Sequence, residues 1–194
     1  MTDSLLDGSK IRTFFALRLR DPIVRQLANC ADGLAVHDKK VEVDWVDSEN
    51  YHLTLCFLGE LSISKVEEIS AAAEKYLAQE QSLNIHLAAI ESYQSASKWT
   101  LLVAKTSHSA ELDALHSLVT ACVEQVGITI DQTGFRPHIT LGRLQQNHSF
   151  SIPDQWPALD LYSLADAVVL FQSKAGGRGS VYTPLSVVEL RDLA

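Results

Sequence analysis

Residues 51–60 read YHLTLCFLGE, and residues 137–144 repeat part of that pattern as PHITLGRL, with the two histidines 86 positions apart. Each stretch is short and rich in aliphatic and β-branched residues, which predicts a strand. Each also lies close to an amphipathic helical pattern. A motif that occurs only twice does not make a solenoid. It predicts two similar lobes, each contributing one copy of the same strand to a shared cleft.

The alternation of side chains along a strand decides where the polar residues of each copy point. His52 and Thr54 share one face, whereas Leu53 lies on the other and is expected in the core. His138 and Thr140 repeat the arrangement. Two such strands side by side would bring two imidazoles and two hydroxyls to one point.

Two imidazoles and two hydroxyls suit a displacement at phosphorus. Histidine titrates nearest neutral pH, so one ring can take a proton from water while the other protonates the leaving oxygen. Threonine hydroxyls can donate to the nonbridging oxygens where charge accumulates. For a single copy, a partly buried structural histidine is the simpler interpretation, and the repetition of the motif argues against it. Neither copy has a third ligand at zinc spacing, so no metal is expected.

Length and composition indicate one globular domain. The chain has 194 residues, 46% of them hydrophobic and 21% charged, which excludes a disordered chain and a large multidomain enzyme. Residues 1–10 are expected to form a mobile tail. Residues 11–194 are expected to form a single two-lobed domain.

The location is predicted from what the sequence lacks. Residues 1–15 show no secretory signal pattern, and no stretch has the roughly 20 apolar residues of a membrane span. Cys30, Cys56 and Cys122 are odd in number and scattered, which favours reduced thiols. We therefore expect a cytoplasmic protein without a membrane partner.

The net charge of −8 disfavours extensive nonspecific binding to a nucleic-acid backbone, because such binding normally needs a basic protein surface. If the substrate is RNA, its end is expected to be recognised in a small pocket, and its body hardly contacted.

The remaining patterns predict three helices among many strands. Asp21 followed by Pro22 predicts a helix start, Ser64 and Glu67 form a capping box for a second helix, and residues 109–126 predict a third. Strands are expected at 11–19, 41–46, 51–58, 84–90, 99–104, 137–144, 166–171 and 181–190. Strands outnumber helices about three to one, and several join as hairpins. The predicted class is α+β, with mainly antiparallel sheets and helices packed outside.

The two motifs resemble the paired H-x-T-x motifs of the 2H phosphoesterases, and the first and last strand patterns resemble the RNA 2′,3′-cyclic phosphodiesterase branch, also called 2′-5′ RNA ligase-like. The resemblance implies a two-lobed fold with a central cleft. It also implies hydrolysis of an RNA-terminal 2′,3′-cyclic phosphate to a 2′-phosphomonoester without a cofactor. By position, His52 would be the proton donor and His138 the acceptor. The near symmetry of the motifs leaves that split to the two pKa values.

Three further residues are candidates for substrate contact. Arg143 lies where the family often has an arginine, but on a regular strand it faces away from the cleft unless Gly142 forms a bulge. The loop from Ser173 to Ser180 resembles the penultimate turn of the family, and Ser173 and Arg178 are its candidate nucleotide contacts.

Three neighbours of the motifs are assigned structural roles. Cys56 shares strand parity with His52, so we expect a small apolar filler deeper in the same groove. Phe57 has the opposite parity and is expected in the core. Tyr182 is expected to be a packed strand residue.

Several alternatives stay open at this point. The same histidines would serve a 2′,5′-linked oligonucleotide, another cyclic nucleotide, or the reverse ligation. A noncatalytic module that binds RNA ends is a further alternative. The expected partner is an RNA 3′ end or oligonucleotide bearing a cyclic phosphate, bound by a monomer.

Overall fold

A computed structural model of the chain describes residues 9–95, 98–130, 134–177 and 179–192. Three α-helices lie among these residues: α1 Asp21–Ala35, α2 Ile63–Leu77 and α3 Ala110–Gln125. The strands in the same residues are β1 Lys10–Leu17, β2 Asp44–Trp45, β3 Leu53–Ser62, β4 Leu83–Gln94, β5 Trp99–Thr106, β6 His138–Gln145, β7 Leu161–Ala165, β8 Ala167–Gly176 and β9 Gly179–Glu189. The predicted α+β class is confirmed. Of the expected tail 1–10, residues 1–8 lie outside the described residues, and Lys10 opens β1.

The strands form one antiparallel sheet in the order β7-β4-β5-β6-β3-β1-β8-β9, with β2 added to β6. Its centre is narrow, because β3 and β6 pair only through Leu53 and Ile139. The sheet is thus divided into two four-stranded halves. We call β3, β1, β8 and β9 the β3 lobe, and β6, β5, β4 and β7 with β2 the β6 lobe.

The helix starts correct two details of the sequence prediction. The N-cap of α1 is Arg20 and not Asp21, which is already helical. The N-cap of α2 is Ser62, whose hydroxyl accepts a hydrogen bond from the Lys65 amide at 3.3 Å, and not Ser64. In both cases a residue before the predicted cap has the extended backbone that a cap needs. The third helix agrees with its prediction.

Apolar residues of the helices and the hidden face of the sheet form the main core. Completely buried members include Leu17, Leu27, Ile69 and Ile139. Burying each side chain of this size contributes about 1.5–3 kcal/mol. The polar residues of both motifs therefore have only the opposite face of the sheet available to them. None of the helices in the described ranges is long and apolar enough to cross a bilayer.

Candidate active site

The histidine motifs lie where the two lobes meet. Leu53 and Ile139, the single pair between β3 and β6, are completely buried. Paired residues of antiparallel strands share a face, and their neighbours along each strand share the other. His52 and Thr54 therefore lie on the same face as His138 and Thr140, where all four are half-buried. The alternation predicted from the sequence is confirmed for both copies.

His52 is held through its ring nitrogen Nδ1. That nitrogen lies 2.7 Å from the carbonyl oxygen of Asn50 and donates to it, which turns Nε2 toward the cleft. The imidazole packs against the rings of Phe14 and Tyr182, with centroid distances of 4.9 Å and 5.0 Å, and the Tyr182 ring is edge-on. Burial is the main cause that lowers the pKa of His52 to about 4. The Asn50 carbonyl opposes this shift, and the charges of His138 and Arg143 add to it.

His138 is held in the same way. Its Nδ1 donates to the carbonyl oxygen of Arg136 at 2.7 Å, again two residues earlier in the chain. The hydroxyl of Tyr93, on β4, lies over the face of the imidazole, 3.1 Å from Nε2 and 3.5 Å from Nδ1. The two rings are nearly perpendicular, with their centroids 5.5 Å apart. Burial lowers the pKa of His138 as well, although the Arg136 carbonyl opposes the shift. Both imidazoles are therefore neutral at pH 7 in the free protein.

The threonine hydroxyls are available for a ligand. Thr54 lies opposite Ala16 on β1, and Thr140 lies opposite Val103 on β5, so small or aliphatic side chains flank both. Neither hydroxyl is hydrogen-bonded to another described residue. Two donors on either side of the histidine pair suit an anion with several oxygens.

Arg143 lies on the cleft face because β6 contains a bulge. Leu102 pairs with Gly142, but Val103 pairs with Thr140, so one residue of β6 is extra. The extra residue reverses the alternation beyond Thr140 and returns Arg143 to the face of the histidines. Gly142 is needed here, because an added Cβ would lie 2.6 Å from Cγ1 of Val43. The sequence predicted that Arg143 would reach the cleft only if β6 contained a bulge, and that bulge is present.

Ser173 lies on β8, where it pairs with Arg12 on β1 and with Tyr182 on β9. It is half-buried on the same side of the sheet as Phe14 and Phe171, whose rings stack at 5.4 Å. Arg178 lies outside the described residues.

Two irregularities in the pairing of β3 with β1 overturn the predicted placement of Cys56 in the groove and of Phe57 in the core, although Cys56 is a buried apolar filler as expected. Phe15 pairs with Cys56, whereas the next residue, Ala16, pairs with Thr54. The extra residue turns Cys56 into the main core, where burial raises the pKa of its thiol to about 11. Phe57 turns to the cleft side, 64% exposed, with its ring centroid 5.9 Å from that of Phe14. Both residues change faces because β3 is not a regular strand along this stretch.

Four aromatic residues near the histidines were not assigned to the site by the sequence analysis. Phe14 and Phe57 form a surface next to His52, and Tyr182 closes its far side. Tyr93 contacts His138 from 45 positions away in the chain. For Phe14, Phe57 and Tyr182, the only signal in the sequence is that the predicted strands contain aromatic residues. No spacing rule links Tyr93 to the second motif.

A small depression adjoins His52, and its lining includes Asp44, Asp47, Asn50, Arg143 and Tyr182. It combines one cation with two carboxylates and the amide of Asn50, so it offers both donors and acceptors to a polar ligand. Across the described ranges, no three His, Cys, Asp or Glu residues cluster closely enough to hold a metal ion.

A family model and several relatives match the chain. The model described as LigT like Phosphoesterase matches residues 17–99. An RNA 2′,3′-cyclic phosphodiesterase of Geobacillus stearothermophilus is 25% identical over 66% of this chain, and the match spans 42% of that relative. A protein of the same name from Thermotoga maritima is 24% identical over 77% of this chain and 75% of its own length.

Solved structures show the same architecture. The crystal structure of E. coli LigT complexed with 3′-AMP has a TM-score of 0.74 and 25% identity, covering 94% of this chain and 99% of that one. A crystal structure of a Thermus thermophilus protein has a TM-score of 0.78 at 21% identity, covering 95% of this chain and 100% of that one. The second likeness concerns the fold alone.

Proposed function

We propose that the chain is a LigT-like phosphoesterase of the 2H family and that it hydrolyses RNA-terminal 2′,3′-cyclic phosphates to 2′-phosphomonoesters. One observation carries the proposal. Two imidazoles lie on one face of the sheet, and each donates a hydrogen bond from Nδ1 to the carbonyl oxygen of the residue two positions earlier. The Nε2 atom of each ring is therefore left for a ligand. The relatives that share the name RNA 2′,3′-cyclic phosphodiesterase support the choice of substrate.

The proposed reaction is an in-line displacement. Nε2 of His138 takes a proton from water as the water oxygen bonds to phosphorus. The bond from phosphorus to the 3′ oxygen breaks, and Nε2 of His52 protonates that oxygen. The hydroxyls of Thr54 and Thr140 donate to the nonbridging oxygens, and Arg143 offsets their charge. Each histidine contributes a factor of about 10² to 10⁴ by proton transfer.

The donor role of His52 requires the substrate to change its protonation. In the free protein the pKa of His52 is about 4, chiefly because of burial. A phosphate anion beside the ring favours the imidazolium and raises that pKa. Substrate binding and proton uptake by the site are then coupled.

The terminal base is proposed to stack on Phe57. This ring is exposed on the cleft side and lies against Phe14, which in turn contacts His52. Base stacking on an aromatic side chain contributes about 1–3 kcal/mol and tolerates any base. Ser173 and Arg178 stay proposed contacts of the nucleotide.

The test is hydrolysis of a short RNA that ends in a 2′,3′-cyclic phosphate, in excess EDTA. We expect turnover to a 2′-phosphate by the wild type and a loss of at least about 10²-fold in kcat for His52→Ala and for His138→Ala. His37→Ala is the matched control, because His37 is exposed and lies outside the cleft. A 3′-phosphate product, or wild-type activity abolished by EDTA, would overturn the proposal.

The same assay separates the alternatives. Parallel reactions with 2′,5′-linked dinucleotides and other cyclic nucleotides test a different substrate, and a 5′-hydroxyl RNA in place of water tests ligation. A noncatalytic module that binds RNA ends would bind equally well with and without His52 and His138 and turn nothing over.

A further inference from the structure

Asn50 connects two parts of the cleft that lie far apart in the chain. Its backbone carbonyl oxygen accepts the hydrogen bond from Nδ1 of His52, at 2.7 Å. Its side-chain nitrogen Nδ2 donates to the carbonyl oxygen of Ser180, on β9, at 3.1 Å and 130 positions away. One residue therefore holds the imidazole of His52 through its backbone and holds β9 through its side chain.

The same two segments of the chain meet again two residues further along. The ring of Tyr182 packs edge-on against the imidazole of His52, with the centroids 5.0 Å apart. Between Asn50 and His52, the side chain of Tyr51 is buried in the main core. Residues 50–52 are thus fixed by β9 and by the core. Of these contacts, the one made by the Asn50 amide lies in the same residue as the carbonyl that orients His52.

The turn that carries this carbonyl has few hydrogen bonds of its own. It is a single 3₁₀ turn, Ser48–Asn50, in which the amide of Asn50 donates to the carbonyl of Asp47 at 2.8 Å. The amide of Tyr51 donates to the carbonyl of Ser48 at 3.1 Å, and no side chain caps the start of the turn. Turns of this kind have poorer hydrogen-bond geometry than an α-helix. The hydrogen bond from Asn50 to Ser180 therefore ties the end of the turn to the sheet.

We propose that Asn50 is a positioning residue that fixes His52 relative to the hairpin of β8 and β9, an inference that rests on the proposed function. Ser180 ends the loop from Ser173 to Ser180, which is the candidate nucleotide contact. Because Asn50 is hydrogen-bonded both to this loop and to His52, a nucleotide held by the loop meets Nε2 of His52 at a fixed distance. Proton transfer to the leaving oxygen depends steeply on that alignment, since a misplacement of about 1 Å can cost about 10²-fold in rate.

Asn50→Ala tests the proposal by kinetics, because it removes the amide and retains the backbone carbonyl. We expect kcat for a cyclic-phosphate RNA to fall about 10- to 100-fold, with a smaller change in KM. In a His52→Ala background, Asn50→Ala should lower kcat no further, because a residue that acts through His52 has no effect without it. Asn147→Ala is the matched control, because Asn147 is exposed in the turn that follows β6.

The orientation of the ring is measured by NMR of the free protein at about pH 8, where both imidazoles are neutral. The ring nitrogen signals distinguish a proton on Nδ1 from one on Nε2. We expect the proton of His52 on Nδ1 in the wild type and partly on Nε2 in Asn50→Ala. His138, held by the carbonyl of Arg136, should not change. Asn50→Asp keeps the shape of the side chain without its donor, so it should give the same result and serves if Asn50→Ala does not fold.

Two results would overturn the proposal. One is a His52 ring that keeps its proton on Nδ1 in both variants. The other is a loss of kcat that persists in the His52→Ala background, since Asn50 would then act on the substrate or on the stability of the fold. The NMR result does not depend on turnover, so an inactive wild type would refute the proposed function and leave the role of Asn50 to be decided by the ring signals.

Discussion

At the scale of single residues, the site depends on rings whose protonation and position are set by their neighbours. His52 and His138 are both buried enough to be neutral at pH 7, and each is oriented by a backbone carbonyl. Backbone carbonyls cannot change protonation state, so the orientation of both rings holds across the pH range in which the histidines titrate.

The lowered pKa values predict the pH profile. Acid and base catalysis by this pair needs one protonated and one neutral histidine. Because the pKa of His52 falls from 6.5 to about 4 and the pKa of His138 is also lowered, the singly protonated free enzyme is populated below pH 6.5. We expect kcat/KM for a cyclic phosphate to peak below that pH and to fall as the pH rises.

In the same experiment the profile of kcat should lie at higher pH than that of kcat/KM, because bound phosphate raises the histidine pKa values. The measurement is initial rate against pH at low and at saturating substrate, with His37→Ala as the control. A kcat/KM optimum above about pH 7.5 would contradict the prediction, because a lowered pKa cannot keep a histidine protonated there.

Phe57 supplies a second prediction at this scale. Phe57→Ala should raise KM about 5- to 150-fold, which corresponds to the free energy of stacking one base, and should change kcat less. The free energy of unfolding should change by less than about 0.5 kcal/mol, because 64% of the side chain is exposed. Tyr162→Ala, which removes another exposed aromatic ring, should leave KM unchanged. An equal KM for Phe57→Ala and the wild type would exclude stacking.

At the scale of strands, bulges decide which side chains reach the cleft. The bulge of β6 turns Arg143 toward the histidines, and the irregular pairing of β3 with β1 exchanges the faces of Cys56 and Phe57. Each effect follows from one extra residue, because the side-chain period of a strand is two.

Gly142 is the position at which the β6 bulge can be tested. In Gly142→Ala the new Cβ would lie 2.6 Å from Val43 and displace β2, which pairs with Arg143. We expect a loss of about 1–3 kcal/mol in the free energy of unfolding, measured in urea, together with a lower kcat/KM. Gly134→Ala is the control, since its Cβ would meet nothing within 4 Å. Unchanged stability of Gly142→Ala would show that the contact relaxes freely.

At the scale of the whole molecule, charge and topology support the proposal that the protein recognises the end of an RNA and not an extended stretch of its backbone. The protein has a net charge of −8, and Arg143 is the cationic residue that lines the depression beside His52 in the described part of the chain. The cleft lies where the lobes join through a single residue pair, so the substrate would contact both lobes at once.

This predicts little dependence on RNA length. Extending a cyclic-phosphate RNA from about two to about ten nucleotides should change KM less than about threefold, and the salt dependence should match neutralisation of about one or two phosphates. The measurement is KM for both lengths between about 50 and 200 mM salt. A much lower KM for the longer RNA, by about tenfold, would indicate an extended binding surface instead.

The sequence by itself determined the features that depend on periodicity and repetition. The α+β class, the three helices, and the shared face of His52, Thr54, His138 and Thr140 follow from strand alternation and helical spacing, which are local properties. The tertiary structure alone decided the rest. The bulges arise from pairing with β1 and β5, and Tyr93 reaches His138 only because β5 pairs with both β4 and β6 and so places β4 one strand away from β6. Contacts between distant strands depend on the register of strand pairing. A shift of one residue in that register changes which side chains meet, and no local pattern of residues predicts it.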